Sequence, residues 1–542
     1  NTVLGESALD ASVSGGNNTA IGKNTLTDQT SGHSCTAVGS AALEENTTTN
    51  NNTAIGYRAL RKNTGGSEGT AIGSQALTEV TTGVQNVGIG FVAGGSITTG
   101  NSNIAIGSYS LDATTTGSSN VAVGNSSLSA NTTASNNTAI GNSALTANTS
   151  GTQNVAVGAN ALDANTTASN NTAVGYNSLG VNTTGALNTA VGKDALAANT
   201  TADNNTGIGH AALIVNTTGS ENTALGRGAL ASNTTADNNT AVGYFALLSN
   251  TTGTNNVAVG ANALDACTVG SSHTAVGKDA LGSVTNGNFN IGIGQSAGGS
   301  ITTGDSNTAV GQEALKNTTT ADQNTAVGRH ALEENTTGLR NTAVGNEALE
   351  ANTTASNNTA IGNLALTANT TGSENTCVGR NSGTNMTTGS GNLCLGNQAG
   401  TSSSPSGQIT TASNNVCLGD NNISNLFCAD TSISSSDSRD KTDVASFDIG
   451  LAWIEALRPV TYRWDRRTWY GTDAEPFGTP NGSKKRAKIH IGFLAQEALE
   501  VEKANGYGSS NDDSLVVNLT EDGMSYGMKY ERLVPILVNA IK

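Results

Sequence analysis

Residues 188–204 read N-T-A-V-G-K-D-A-L-A-A-N-T-T-A-D-N, and the same pattern of residue types begins again at residue 205. The glycine of this unit recurs every 17 residues from Gly5 to Gly396, which gives 24 glycines without an insertion or deletion. The residue before each glycine is aliphatic, and Leu stands four residues after it in 20 of the 24 units. An unbroken period of this kind is typical of a solenoid, in which each repeat forms one turn of a stack.

The repeat unit predicts a mainly β fold. Asn-Thr-Ala-Val is short, partly β-branched and bounded by Asn and Gly, as a strand that ends at a turn should be. Ala-Leu is expected to begin a second extended piece, and Asn-Thr-Thr-Gly to supply a turn. Seventeen residues are too few for the helix pair of about 34 residues that builds many α-solenoids. We therefore predict a parallel β-solenoid or β-roll over residues 1–396.

The expected core of each coil is thin, because it would hold one Val or Ile, one Leu and some Ala. Burial of so little apolar surface barely offsets the entropy of ordering the chain. Association of three chains around a common axis would cover more of this surface, so we expect a homotrimer. A single-chain β-solenoid is the structural alternative.

Two features of the repeats have both a structural and a functional interpretation. Asn-Thr-Thr, as at Asn46, Asn131, Asn165 and Asn182, is formally a glycosylation acceptor, but a repeat built on Asn turns produces this match automatically. Four units replace the Leu by Gly, at Gly94, Gly298, Gly383 and Gly400. Residues 93–100 and 297–304 have the same sequence and lie 12 units apart, so we favour duplication of a 12-unit block over a ligand-accepting notch.

Composition excludes several classes of partner. The net charge is −16, with 12% charged and 4% aromatic residues, so the basic patches that bind nucleic acid or anionic membranes are not expected. No run of about 18 apolar residues predicts a membrane span. The six cysteines lack zinc-site spacing, and three of them, Cys377, Cys394 and Cys417, are expected to be small buried groups. We predict no metal and no cofactor.

The composition changes after the last regular repeat. Residues 397–435 are rich in Ser and Asn and predict a cap or linker with one irregular repeat. Residues 436–542 contain all three Trp residues and predict a compact α+β domain. Its expected elements are a helix over 448–457, strands around 460–464 and 489–493, a helix over 495–501, a hairpin over 515–530 and a helix over 531–542.

Four blocks of the C-terminal segment resemble the peptidase S74 family, the intramolecular chaperones of phage and viral tail fibres. They are Ser436-Asp437-Ser438-Arg439-Asp440-Lys441, Leu457–Trp464, Ile491–Glu497 and Tyr530–Pro535. The resemblance implies that this domain trimerises, assists folding of the preceding β-rich stalk and then cleaves itself off before the motif serine.

The same resemblance implies the roles of individual residues. Ser436 would be the nucleophile, Lys441 the base, and Ser435–Ser436 the scissile bond. A Ser hydroxyl needs such a base, and a neutral Lys serves when burial or a nearby cation lowers its pKa. Arg439 would supply the cation, and Asp437 would orient the group or pair with Arg439. Any enzymatic activity would be this single-turnover Ser-Lys autoproteolysis.

The repeats resemble the β-roll heads of trimeric autotransporter adhesins, whose A-V/I-G-x-x-A motif is matched by Ala54-Ile55-Gly56 through Ala59. The combined expectation is the trimeric shaft of a viral (bacteriophage) tail fibre or spike. It would be extracellular on the virion, bind a host-surface glycan or protein receptor, and be attached through a segment preceding Asn1. A surface adhesin or extracellular filament is the alternative, and a glycan-degrading enzyme is disfavoured, because the repeats hold no insertion for a carboxylate cleft.

Overall fold

The computed structural model describes residues 1–423, 444–471, 478–510, 512–519 and 526–542, apart from the side chains of Thr468 and Leu519. The chain divides into two compact units, Asn1–Ala309 and Val310–Lys542. None of the helices within the described ranges has the length and apolar content that crossing a bilayer requires.

Each repeat contributes one three-residue strand, and the strands of both units pair in parallel. In the first unit β1 to β18 pair with a constant offset of 17 residues, as in Thr189↔Thr206. In the second unit β20 to β24 pair with the same offset, and β25 pairs with β24 in parallel at a longer one. The prediction of a parallel β-solenoid is confirmed. The 25 strands β1 to β25 are Thr2–Leu4, Thr19–Ile21, Thr36–Val38, Thr53–Ile55, Thr70–Ile72, Val87–Ile89, Ile104–Ile106, Val121–Val123, Thr138–Ile140, Val155–Val157, Thr172–Val174, Thr189–Val191, Thr206–Ile208, Thr223–Leu225, Thr240–Val242, Val257–Val259, Thr274–Val276, Ile291–Ile293, Thr308–Val310, Thr325–Val327, Thr342–Val344, Thr359–Ile361, Thr376–Val378, Leu393–Leu395 and Val416–Leu418.

The inside of each coil is formed by small residues and Leu. In the strand Thr189–Val191 the central Ala190 is fully buried, whereas the residues on either side of it are partly exposed. Leu196 is fully buried and lies in the turn after the strand, with a φ of 51°. Two expectations are therefore wrong: the Val or Ile before the glycine does not belong to the core of its own coil, and Ala-Leu forms a turn rather than a second extended piece.

Two ladders of buried Asn side chains connect successive coils. Oδ1 of Asn171 accepts the backbone N–H of Asn188 at 2.9 Å, and Asn188 Nδ2 donates to the carbonyl of Ala202 at 2.8 Å. In the second ladder Asn199 Nδ2 donates to Asn182 Oδ1 at 2.8 Å. Both ladders are buried, and the second one consists of the Asn residues of Asn-Thr-Thr. The structural interpretation of these motifs is confirmed for Asn46, Asn131, Asn165 and Asn182.

The four units with Gly in place of Leu keep the same backbone and fill the space from another position. Gly94 has a φ of 63°, close to that of the Leu residues it replaces. A Cβ built on Gly94 would lie 3.0 Å from Ile97 Cδ1, and Ile97 occupies the position that is Asn in most repeats. The corresponding apolar residues of the other three units, also buried, are Ile301, Met386 and Ile409. This exchange of side chains gives no support to a ligand-accepting notch.

The irregular repeat adds one further coil. Val416–Leu418 pairs in register with Leu393–Leu395, so the offset becomes 23 residues without loss of the parallel pairing. Asn415 Nδ2 still donates to Asn392 Oδ1 at 3.1 Å, which continues the first Asn ladder. The six extra residues are therefore accommodated outside the strand.

The C-terminal segment forms small helices and hairpins close to the predicted positions. Its core contains Trp453, Leu457, Ala498, Val516, Val517, Leu533 and Ile536. Its elements are α1 (Leu451–Ala456), β26 (Val460–Tyr462), a 3-10 turn (Arg467–Trp469), β27 (His490–Gly492), α2 (Ala495–Ala504), β28 (Val517–Leu519), β29 (Tyr526–Met528), a second 3-10 turn (Tyr530–Arg532) and α3 (Leu533–Ile541). Antiparallel pairing joins β26 to β27 and β28 to β29.

Replacement of one ladder amide should loosen the coils next to it. Asn199→Ala removes the donor to Asn182 Oδ1 and the acceptor for Asn216 Nδ2, which lies 3.0 Å away. Loss of a buried partner costs about 1–3 kcal/mol. Native-state hydrogen exchange should show that loss as faster exchange of the amides over residues 182–216. Thr201→Ala, at an exposed neighbouring position, is the control and should leave their exchange unchanged. Unchanged protection in Asn199→Ala would contradict the role given to the ladder.

Candidate functional site

The predicted self-cleavage residues fall in a segment that the structure does not describe. Ser435, Ser436, Asp437, Arg439 and Lys441 all lie within 424–443, outside the described residues. Their catalytic roles and the scissile bond therefore stay predictions. The described residues that follow, from Val444 onward, show how the C-terminal domain holds the chain after this segment.

The C-terminal helix α3 is hydrogen-bonded to the segment in which the chain enters the C-terminal domain. Asn539 Nδ2 donates to the carbonyl of Phe447 at 3.1 Å and to that of Ile449 at 3.0 Å. Trp453 of α1 and Ile536 of α3 belong to the same buried cluster. The chain just after the predicted cleavage segment is thus fixed by hydrogen bonds to α3 and by the packing of α1 on it.

A buried carboxylate connects α2 to the hairpin of β28 and β29. Glu502 is fully buried, and its oxygens accept hydrogen bonds from the backbone N–H of Val517 at 3.0 Å and the hydroxyl of Ser514 at 2.9 Å. The N–H of Val516 donates to the same carboxylate. These bonds satisfy a group whose burial would otherwise be costly. Sequence reasoning missed Glu502; its position four residues after buried Ala498, on the inner side of α2, was the available signal.

Aromatic and cationic side chains alternate around a cavity of the second unit. The Arg466 guanidinium lies 4.4 Å from the Trp464 ring centroid, and that of Arg486 lies 5.2 Å from the Trp469 ring centroid. Arg466 Nη1 donates to Asn421 Oδ1 at 2.9 Å, which joins the domain to the chain after β25. Burial, and next the charge of Arg486, hold the pKa of Arg466 below its usual value. The cavity has a volume of about 240 Å³.

The stacked cysteines of the second unit are reduced and buried. Strand pairing places Cys377 beside Cys394 and Cys394 beside Cys417, and all three are free thiols. The neighbouring Cys377 thiol raises the pKa of Cys394 to about 12. A thiol with so high a pKa is a poor nucleophile, which agrees with the expectation that these residues are small buried groups.

The outer face of the strands carries an aliphatic ladder, defined here as the residue before each repeat glycine. Its members are separated by one strand spacing, about 4.8 Å. Several are more than a third exposed: Leu4, Ile55, Ile72, Ile140, Leu225 and Ile293 in the first unit, and Ile361, Leu395 and Leu418 in the second. The members between them are partly exposed, and a long row of partly exposed apolar side chains is a candidate interaction surface. The ladder is therefore the candidate assembly interface.

Comparison with known proteins identifies the C-terminal segment. Residues 436–507 match the family Peptidase_S74, described as chaperone of endosialidase. No curated protein and no solved structure matches the chain. The chain thus carries a chaperone-of-endosialidase domain after a parallel β-solenoid, an arrangement consistent with a protein of the tail-fibre type.

Proposed function

We propose that this chain forms the homotrimeric shaft of a viral tail fibre or spike used for attachment to a host surface. The observation that carries the proposal is the succession of a long parallel β-solenoid and a chaperone-of-endosialidase domain. The receptor would be a glycan or a protein of the host surface. The regular coils serve as a scaffold, and a turnover activity is not required of them.

The aliphatic ladder supports the trimer. Each of its side chains is already partly covered by its own coil, so burial of the remainder by a partner contributes roughly 0.5–1 kcal/mol per coil. Summed over many coils, even this small gain exceeds the cost of association. Three copies with the ladder facing a common axis would remove it from water.

The C-terminal domain would set the alignment of the three chains. Identical coils can pair one unit out of step with little loss of contact, so a repeat region by itself defines its alignment poorly. A domain that trimerises first starts all three chains from the same coil. In this proposal the bonds from Asn539 to Phe447 and Ile449 transmit that alignment to the chain between domain and repeats.

Self-cleavage would then release the domain. Lys441, acting as base, takes the proton of the Ser436 hydroxyl, and Ser436 Oγ attacks the carbonyl carbon of Ser435. The peptide C–N bond breaks, the amine of Ser436 receives the proton and an ester forms at Oγ. Water hydrolyses this ester, which leaves a carboxylate on Ser435 and a free amino terminus on Ser436. The shaft would then persist because its unfolding is slow.

Ser436→Ala should abolish cleavage. Intact mass measured under denaturing conditions should show wild type split between Ser435 and Ser436, and the variant whole at 54.1 kDa. Lys441→Met should also stay whole, whereas Lys484→Met, at an exposed lysine of the same domain, should be cleaved normally. Wild type that stays whole would remove the catalytic assignment and leave the domain as a permanent cap.

Charges placed on the aliphatic ladder should prevent trimer formation. Native mass spectrometry should give three chains for wild type and one for the double variant Ile140→Asp, Leu225→Asp. These side chains are 40% and 45% exposed in the single chain, so its coils should still fold and keep their hydrogen-exchange protection. Asp at Thr133 and Thr218, two exposed positions on another face, is the matched control and should stay trimeric. A monomeric wild type would refute the trimer.

Location distinguishes the fibre from an adhesin. The resemblance of the strand-and-turn half of the repeat to adhesin heads favours the adhesin as second candidate. Gold-labelled antibody raised against residues 1–396 should decorate virus particles in cultures that produce the protein. Labelling of cell surfaces without particles would support the adhesin and contradict the fibre.

A further inference from the structure

Two successive coils of the second unit bring two carboxylates and an imidazole together. Glu313 and His330 each lie two residues after a repeat glycine, and Glu333 lies three residues after His330. One ligand atom from each of the three residues lies within 4.8 Å of the other two. His330 Nδ1 is 3.6 Å from Glu313 Oε2 and contacts Glu333 Oε2 directly.

This spacing is suitable for a single metal ion. Nitrogen and oxygen ligands of tetrahedral Zn²⁺ lie about 2.0–2.2 Å from the ion, and hence about 3.4 Å from one another. The three side chains are only 12–20% exposed, so they are partly desolvated and held by the coil. An imidazole nitrogen with two carboxylates is a donor set that Zn²⁺ accepts readily.

Lys316 occupies part of the space between the two carboxylates. Its Nζ lies 3.0 Å from Glu313 Oε2 and 3.4 Å from Glu333 Oε1. The lysine side chain is 38% exposed, and its flexible four-carbon stem allows the ammonium to move into water. Lys316 therefore acts as an internal competitor for a cation and does not block the site sterically.

Neighbouring carboxylates add further negative charge. In the next coil, Glu347 occupies the position of His330 and Glu350 the position of Glu333. Glu347 forms an ion pair with Arg329 at 2.9 Å. Burial, and next the charges of Glu347 and Glu333, raise the pKa of Glu350. Glu313, Glu333, Glu347 and Glu350 thus place four carboxylates in this region. Among their described ion pairs, the only permanently charged cations are Lys316 and Arg329. This excess of negative charge favours binding of a divalent cation.

We propose that Glu313, His330 and Glu333 bind one Zn²⁺ ion, which displaces the ammonium of Lys316. The ion would join two consecutive coils and stabilise this part of the stack against local opening. The sequence of a single repeat could not reveal the site, because its ligands come from two coils and meet only when the turns are stacked.

Titration calorimetry of the full chain with Zn²⁺ tests the proposal. Wild type should bind one more Zn²⁺ ion per chain than His330→Ala. His210→Ala is the matched control, since His210 is an exposed histidine just after another repeat glycine, and its stoichiometry should equal that of wild type. Any ions bound at cysteines are common to all three proteins and do not affect this difference. Equal stoichiometry in His330→Ala and wild type would overturn the proposal.

The variant Lys316→Met distinguishes two interpretations of this cluster, a metal site and a network of ion pairs. If Lys316 competes with the ion, its removal should lower the Kd for Zn²⁺ about tenfold, because its two ion pairs contribute up to about 1 kcal/mol each and about 1.4 kcal/mol is a factor of ten. Hydrogen exchange over residues 313–333 should also slow on Zn²⁺ addition in wild type and Lys316→Met, but not in Glu333→Gln. Unchanged or weaker Zn²⁺ binding in a folded Lys316→Met protein would contradict the proposal.

Discussion

The hydrogen bonding of buried Asn side chains constrains the whole repeat region. A buried amide without partners is costly, so each ladder Asn must meet the same atoms of the neighbouring coil. Oδ1 of Asn171 accepts from the backbone of Asn188, and Asn182 and Asn199 are joined through their side chains. A coil that gained or lost a residue without looping it out of the stack would move its ladder Asn away from these partners. The unbroken 17-residue period follows, and where the chain adds six residues they lie outside the paired strand Val416–Leu418.

The period, the parallel strands and most C-terminal elements could be predicted from sequence, because each depends on local patterns. The residues that fill the inside of the coil could not be predicted in this way. Alternation in Thr-Ala-Val separates two faces without saying which is inner, and only the narrow coil interior selects Ala190 over Val191. The left-handed Leu196 was also unpredictable, since non-glycine residues rarely adopt positive φ. The units that carry Gly in place of Leu are explained only by the structure, in which Ile97 fills the space beside Gly94.

The candidate sites also differ in how much of each could be predicted from the sequence. The family match begins at residue 436, the serine for which the resemblance implies nucleophilic attack, but the geometry of that segment lies outside the described residues. Glu502 and Asn539 gave little signal, because their partners are backbone groups distant in sequence. The aliphatic ladder was visible as a pattern and wrongly assigned to the core. In the proposed trimer, its exposure would drive association of the repeat region, and the C-terminal domain would align the copies.

Cryo-electron microscopy of the purified full chain tests this account most directly. It predicts three parallel solenoids around a threefold axis, with coils about 4.8 Å apart along it and the side chains of Ile55, Ile140 and Leu225 packed against the neighbouring copies. A separate single solenoid with this ladder in solvent would contradict the account.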